Sequence, residues 1–261
     1  MLLPALRPPL LPSPLRRAFT KFGGLGSAFN PAAQFAPNLA GLWYDPSDYA
    51  SLSQDSAGTA PVTAVGQPVG RMLDKSGRGN HITQATAASR PVTGTQGAIQ
   101  YLTFDGLDDG MATGAITLTA DMDCFIAVRR NSVAAFVAFS GQSGSSIFVG
   151  LAESGGTAAA VGGGGIAVSG LAVNGVAVPG GSATTRGQLH TAIPVSQWLV
   201  FEAQNCTLGV ITALGIGSFL SAAGYNLNGD IGGVILCPAG DAAARQKNRQ
   251  FLGNKVGLVL P

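Results

Sequence analysis

What most limits the fold of this chain is the way its apolar residues are parcelled. From Ile99 onward they come in short runs, each closed within a few residues by Gly, Asn, Asp or Ser. Ile99-Gln100-Tyr101-Leu102-Thr103-Phe104 alternates like a half-buried strand and stops at Asp105-Gly106, a strong turn signal. Ile116–Leu118, Cys124–Arg129, Ala135–Phe139 and Ile147–Leu151 repeat the pattern, as do Trp198–Ala203, Leu208–Ile211 and Ile231–Cys237. Val173-Asn174-Gly175-Val176 reads as a hairpin, with Asn-Gly between β-branched residues. Helical periodicity is nearly absent before residue 241, and no β-α-β rhythm exists. Many short strands with one late helix close most readily as an all-β sandwich.

That helix is expected from Ala242 to Leu252, with Asp241 as its cap and Gly253 as its stop. Arg245, Lys247 and Arg249 are expected on a solvated face, with Ala244, Phe251 and Leu252 packed inward. Residues 155–187 are of low complexity. The Gly162–Gly165 run lacks the Lys-Ser/Thr of a phosphate loop, so turns between short strands are expected there.

The segment from Leu39 to Pro91 is of another kind, polar and rich in turns. Trp43 and Tyr44 lead into Asp45-Pro46-Ser47-Asp48, where Pro presets φ and Asp caps its own backbone. Asp74-Lys75-Ser76-Gly77-Arg78-Gly79-Asn80-His81 forms a second polar elbow. Ahead of it, Pro4, Pro8, Pro9, Pro12 and Pro14 break any signal-peptide helix and favour an extended arm. Arg16, Arg17, Phe19, Lys21 and Phe22 are the expected assembly contacts of that arm, since Leu and Phe are wasted on a free tail. The expected division is therefore 1–38 as docking arm and linker, 39–94 as a turn-rich collar on the sandwich, and 95–261 as the sandwich itself.

Charged residues make up only 11% of the chain, against roughly 25% in an ordinary domain. A surface so poor in charge tends to be covered by other copies or partners. The net charge of +2 gives no support to nucleic-acid binding, and no run of about 18 apolar residues exists for a membrane span. Cys124, Cys206 and Cys237 lack CxxC spacing and lie in or beside apolar runs, which predicts buried reduced thiols and folding in a reducing cytoplasm.

Few residues offer chemistry. His81 and His190 are the only histidines, no G-x-S-x-G elbow occurs, and the serines of Ser140–Gly144 have no base partner. Glu153 and Glu202 are isolated, whereas a glycosidase needs two convergent carboxylates about 5–10 Å apart. Asp105, Asp108 and Asp109 offer the oxygen ligands that Ca²⁺ takes, but the EF-hand spacing is missing and a tight turn uses the same residues. Trp43 and Tyr44, with Tyr49 and Trp198, are candidates for stacking on sugars, against core or interface anchoring as the commoner role. No metal and no cofactor are expected.

Two stretches carry a resemblance. Leu102–Asp109, with its Phe104-Asp105-Gly106-Leu107-Asp108-Asp109, and Leu227–Leu236 with the helix that follows resemble concanavalin A-like, laminin-G-like jelly rolls. Gly41–Asp48, Gln54–Thr59, Asp74–His81 and Gln84–Thr86 resemble a block in tailed-bacteriophage and prophage virion proteins that usually precedes such a jelly roll. The resemblance implies a concanavalin A-like sandwich and a structural, non-enzymatic role in the tail, baseplate, fibre or head surface of a virion. It implies other virion proteins as partners and a homo-oligomer, with a trimer favoured. The alternatives are a module binding host-surface glycans and, more weakly, a glycan depolymerase.

Overall fold

A computed structural model of the chain describes residues 29–35, 39–118, 120–143, 145–163, 166–218 and 225–261. In chain order the strands begin with β1 (Leu42–Tyr44), β2 (Leu52–Ser53), β3 (Arg71–Met72), β4 (Ile82–Thr83), β5 (Val92–Gln96) and β6 (Ile99–Asp105). There follow β7 (Met111–Thr113), β8 (Ile116–Thr117), β9 (Met122–Arg130), β10 (Phe136–Ser143) and β11 (Ser145–Ala152). Next are β12 (Val161–Gly162), β13 (Gly170–Val173), β14 (Val176–Ala177) and helix α1 (Arg186–Ala192). The last part holds β15 (Leu199–Cys206), β16 (Val210–Ile211), β17 (Ala213–Ile216), β18 (Asn228–Pro238) and helix α2 (Ala242–Lys255).

The strands form two large antiparallel sheets. One runs β14-β13-β15-β9-β18-β6-β5, the other β12-β11-β10-β17-β7-β4-β3-β2, and β8 with β16 makes a small third ribbon. The eleven-residue β18 organises the first sheet. One of its edges pairs with β9 over Gly229–Pro238; its other edge takes β6 at Asn228–Ile231 and then β1 at Val234–Leu236.

The all-β expectation is met. The main apolar core lies between the sheets and takes Cys124, Ile126 and Val128 from β9, Leu199 and Phe201 from β15, and Phe136 and Val149 from the facing sheet. The alternate residues Phe125, Ala127, Val200 and Ile235 point the other way and pack under α2 with Phe35, Trp43, Leu252 and Val256. At its centre both faces of this sheet are therefore dry, which is why β9 and β18 read as near-continuous apolar runs, whereas β5 and β14 toward its edges are largely exposed.

Several expectations are corrected. The segment 39–94 is not a collar resting on the sandwich: β1 and β5 belong to the first sheet and β2, β3 and β4 to the second. The expected boundary at 94/95 runs through the β5–β6 hairpin. A second helix, α1, begins at the end of the low-complexity stretch, in a part of the chain where no helix was expected. Its signal is Thr185-Arg186-Gly187-Gln188, a capping box in which Thr185 Oγ1 accepts the Gln188 N–H and Gln188 Oε1 accepts the Thr185 N–H. In α2, Asp241 caps as expected, its Oδ1 taking the Ala244 N–H at 2.8 Å. Gly253 is not the stop. The helix runs on to Lys255, and Gly257 at φ +74° turns the chain so that Leu258 N–H reaches the Gly253 carbonyl and Gly257 N–H that of Asn254. Gly253 is buried because Leu260 folds back over it, within 2.8 Å of where a Cβ would stand. Among the described residues no helix is long and apolar enough to cross a membrane.

Candidate functional site

The polar elbow is built around one buried carboxylate. Asp74 Oδ1 accepts the backbone N–H of Trp43 at 2.9 Å and of Ser76 at 2.9 Å, while Oδ2 accepts Ser76 Oγ at 2.7 Å and the Asn80 N–H at 3.0 Å. Asn80 Nδ2 donates to the Gly41 carbonyl, and the Tyr44 hydroxyl donates to the Asn80 carbonyl. His81 accepts the Asp74 N–H on Nδ1 at 3.0 Å, which leaves its proton on Nε2. The polar residues that marked this segment in sequence thus fasten β1 to the elbow.

Beside it, Asp45 gathers two lysines. Lys255 Nζ lies 2.8 Å and Lys75 Nζ 3.5 Å from Asp45 Oδ2, and Lys75 also reaches Asp48 at 2.6 Å. Burial acts to raise the Asp45 pKa, but hydrogen bonds from Lys255 and Ser47 and both lysine charges hold it below its ordinary value. This carboxylate stays ionised and ties the elbow to the last turn of α2.

Residues 29–35 are fastened to the same face. Gln34 and Asn248 exchange two amide hydrogen bonds of 2.7 Å each, Phe29 meets Phe251 edge-on at 6.1 Å, and the Phe35 carbonyl accepts from Arg78 at 2.9 Å. Gly41 is obligatory there: its φ is +149°, and a Cβ would stand 2.4 Å from the Leu236 carbonyl and 2.5 Å from the Phe35 ring. The assembly residues Arg16, Arg17, Phe19, Lys21 and Phe22 lie outside the described residues.

The stacking candidates are not presented to a ligand. Tyr44 is fully buried in the main core, and Trp43 is 8% exposed, with Lys75 over its ring at 4.9 Å and Phe251 against it at 5.7 Å. Trp198 meets Tyr101 at 5.4 Å with its ring tilted by 58°, and lies under Arg129 at 4.9 Å. Tyr49 is half-buried against the main core.

Asp105, Asp108 and Asp109 do come together, with one ligand oxygen of each within 4.8 Å of the others. Their oxygens serve the turn: Asp105 Oδ1 accepts the N–H of Leu107 at 2.7 Å and of Asp108 at 3.3 Å, Asp109 Oδ2 that of Asp105, and Asp108 Oδ2 the Ser89 hydroxyl. Burial, reinforced by the charges of Asp105 and Asp108, pushes the Asp109 pKa up to about 6 despite the backbone N–H it accepts.

Glu153 and Glu202 do not converge. Glu202 is fully buried on the outer face of the first sheet, paired with Arg249 at 3.0 Å; Glu153 follows β11 in the other sheet, paired with Arg186 at 3.0 Å. His190 sets Nε2 against the Val133 carbonyl, and its own carbonyl accepts from the buried Arg130, so that Arg130 covers the C-terminal end of α1. A surface cleft of about 590 Å³ opens beside α1, lined by Gly155, Gly156, Pro179, Thr185, Gln188 and Thr191. The hydroxyls and amide in it are already used, Thr185 and Gln188 in the capping box and Thr191 on the Gly187 carbonyl.

What sequence reasoning missed is the part played by the α2 arginines, which are not a solvated face. Arg245 forks onto the buried Asp123 at 2.9 and 3.2 Å, and Arg249 clasps Glu202. Their i, i+4 spacing facing two acids on neighbouring strands was the available signal. Lys247 alone of the three is exposed. The chain matches no protein-family model, no curated protein and no solved structure.

Proposed function

We propose that this protein is a structural component of a tailed-phage particle. It docks through residues 1–38, displays its β-sandwich outward and assembles as a homo-oligomer, with a trimer favoured. The concanavalin A-like identity of the sandwich belongs to the same proposal. The observation that carries it is the fastening of residues 29–35 to α2 and β1. A tether joined there passes its load to the centre of the first sheet, as a docking arm requires. The polar segment supports the reading, because its groups are spent on holding the chain and not on a ligand. The low charge supports it as well, since a chain with 11% charged residues suits a surface covered by neighbours.

The test uses purified particles from cells that carry the gene, probed with an antibody raised against the folded chain. Label on intact particles, lost when residues 1–28 are deleted while the protein still folds, is the expected result. Absence of the full-length chain from particles overturns the proposal. Binding of the full chain to a glycan array with no incorporation into particles would favour the glycan-recognition reading instead.

A further inference from the structure

Among the described residues the feature left without a role is a pair of thiols in the core. Cys124 sits in β9 and Cys206 at the end of the neighbouring β15, and their Sγ atoms are 3.6 Å apart, both free and 1% or less exposed. They meet because of a backbone irregularity. On β15, Leu199, Phe201 and Ala203 face the main core, so regular alternation would send Cys206 to the opposite face. The register with β9 slips by one residue between Ala203 and Cys206, which moves Cys206 opposite Met122, and Asn205 takes φ +49°. The bulge returns Cys206 to the core face and lays it against Cys124. The slip is held from outside: Asn205 N–H donates to Asp123 Oδ1 at 2.9 Å, and Asn205 Oδ1 accepts from Arg245 at 2.9 Å. Cys237 faces the other way, into the cluster under α2, with Asn248 against its sulfur.

We infer that Cys124 and Cys206 are a latent disulfide, made as two thiols in a reducing compartment and closed into a β9–β15 cross-link when the protein meets a small disulfide oxidant. The sulfurs must approach from 3.6 Å to about 2.05 Å, a movement of about 1.5 Å. Each thiol gives up its proton, the new S–S bond takes one sulfur from each strand, and the two electrons reduce one oxidised glutathione to two molecules of glutathione. The hydrogen bond to Cys206 and burial both raise the Cys124 pKa well above its ordinary value, so the thiolate is scarce in the closed fold. Exchange is therefore slow and gated by opening of the β15 end. The cross-link spans 82 positions of sequence and joins two strands of one sheet, where loop closure stabilises strongly. The inference holds whichever function the protein serves.

The test is thiol mapping of the full chain, purified reduced and incubated with oxidised glutathione in native buffer and in mild urea. Alkylation, intact mass and peptide mapping follow. The expected result is a loss of about 2 Da, a single Cys124–Cys206 bridge with Cys237 still alkylated, faster closure in urea, and a Tm raised by up to about 10 °C. Cys237→Ala is expected to give the same bridge. Three alkylated thiols after oxidation in urea, a bridge through Cys237, or an oxidised protein with a lower Tm than the reduced one each overturn the inference.

Discussion

The two faces of the sheet that holds β9, β15 and β18 are equally buried but are held in different ways. The face toward the second sheet is apolar apart from Arg130 at the end of β9, which is spent on α1: Ile126, Val128, Leu199, Phe201 and Val234 fill it, and its position is set by shape. The face under α2 has apolar residues too, but it also buries Asp123 and Glu202, each matched by an arginine one helical turn from the next. Asp230, where β18 meets β9, follows the same rule with Arg129 at 2.8 Å. Shape complementarity resists compression without fixing how a helix slides along a sheet. Two ion pairs, the Arg245 fork on Asp123 and Arg249 Nη1 between the Glu202 oxygens, fix that slide, because a shift of one residue would leave two carboxylates buried alone. The sheet therefore has one face that supplies cohesion and one that supplies register.

The largest effect is expected on the cohesive face. Phe201→Ala removes a fully buried ring that Gly150 is shaped to receive, a Cβ there falling 2.6 Å from it, and the loss is about 3–5 kcal/mol by urea denaturation. Should the loss fall below 1 kcal/mol, that face is not packed as described.

Next comes a single cut on the register face. Arg249→Met strands Glu202 and costs about 3 kcal/mol, whereas Arg249→Met combined with Glu202→Leu recovers most of it. The pH dependence has a definite sign. Burial, offset in part by Arg249, leaves the Glu202 pKa above its ordinary value, so the folded state holds the proton more tightly than the unfolded one. Stability is then lost as pH rises through the interval between the unfolded and folded pKa values. Removing Arg249 extends that interval upward, and the single variant should gain stability from pH 7 to 5 more steeply than the native protein. A flat profile would mean that Glu202 is solvated and the contrast between faces is overdrawn.

The smallest effect lies at the rim. Arg129→Lys keeps the charge beside Asp230 but gives up the guanidinium's contact with the Trp198 and Tyr101 rings, for a loss of about 1 kcal/mol. A loss as large as that of Arg249→Met would make the rim part of the register device.

Much of this sheet was legible in the sequence, since its strands are apolar runs bounded by turn residues and α2 carries an Asp cap. The assignment of faces was not. β9 is buried at every position but Arg129, so alternation gives no clue to which residues meet α2, and Cys206 sits beyond a bulge that reverses the parity of the strand. The strands of 39–94 escaped because β2, β3 and β4 are two residues long. Their place is set by partners far along the chain, and Asp, Ser and Gly in turns conceal the pairing. Residues 74–81 were legible as an elbow. That Asp74 gathers Trp43, Ser76 and Asn80 was not, because side-chain to backbone bonds leave no period to read.

The position of β18 has a consequence for the order in which the molecule is made. β1, β6 and β9 all find their partner in a strand that leaves the ribosome 184 residues after Tyr44 (228 less 44). At about 5–20 residues per second, β1 waits roughly ten to forty seconds with its edge unmatched. During synthesis the first half of the chain is a set of hairpins without a hub, and assembly of the sheet becomes a late, nearly simultaneous event with the high contact order of a slow folder. The edges that β18 takes stay unmatched until the whole of Asn228–Pro238 has emerged.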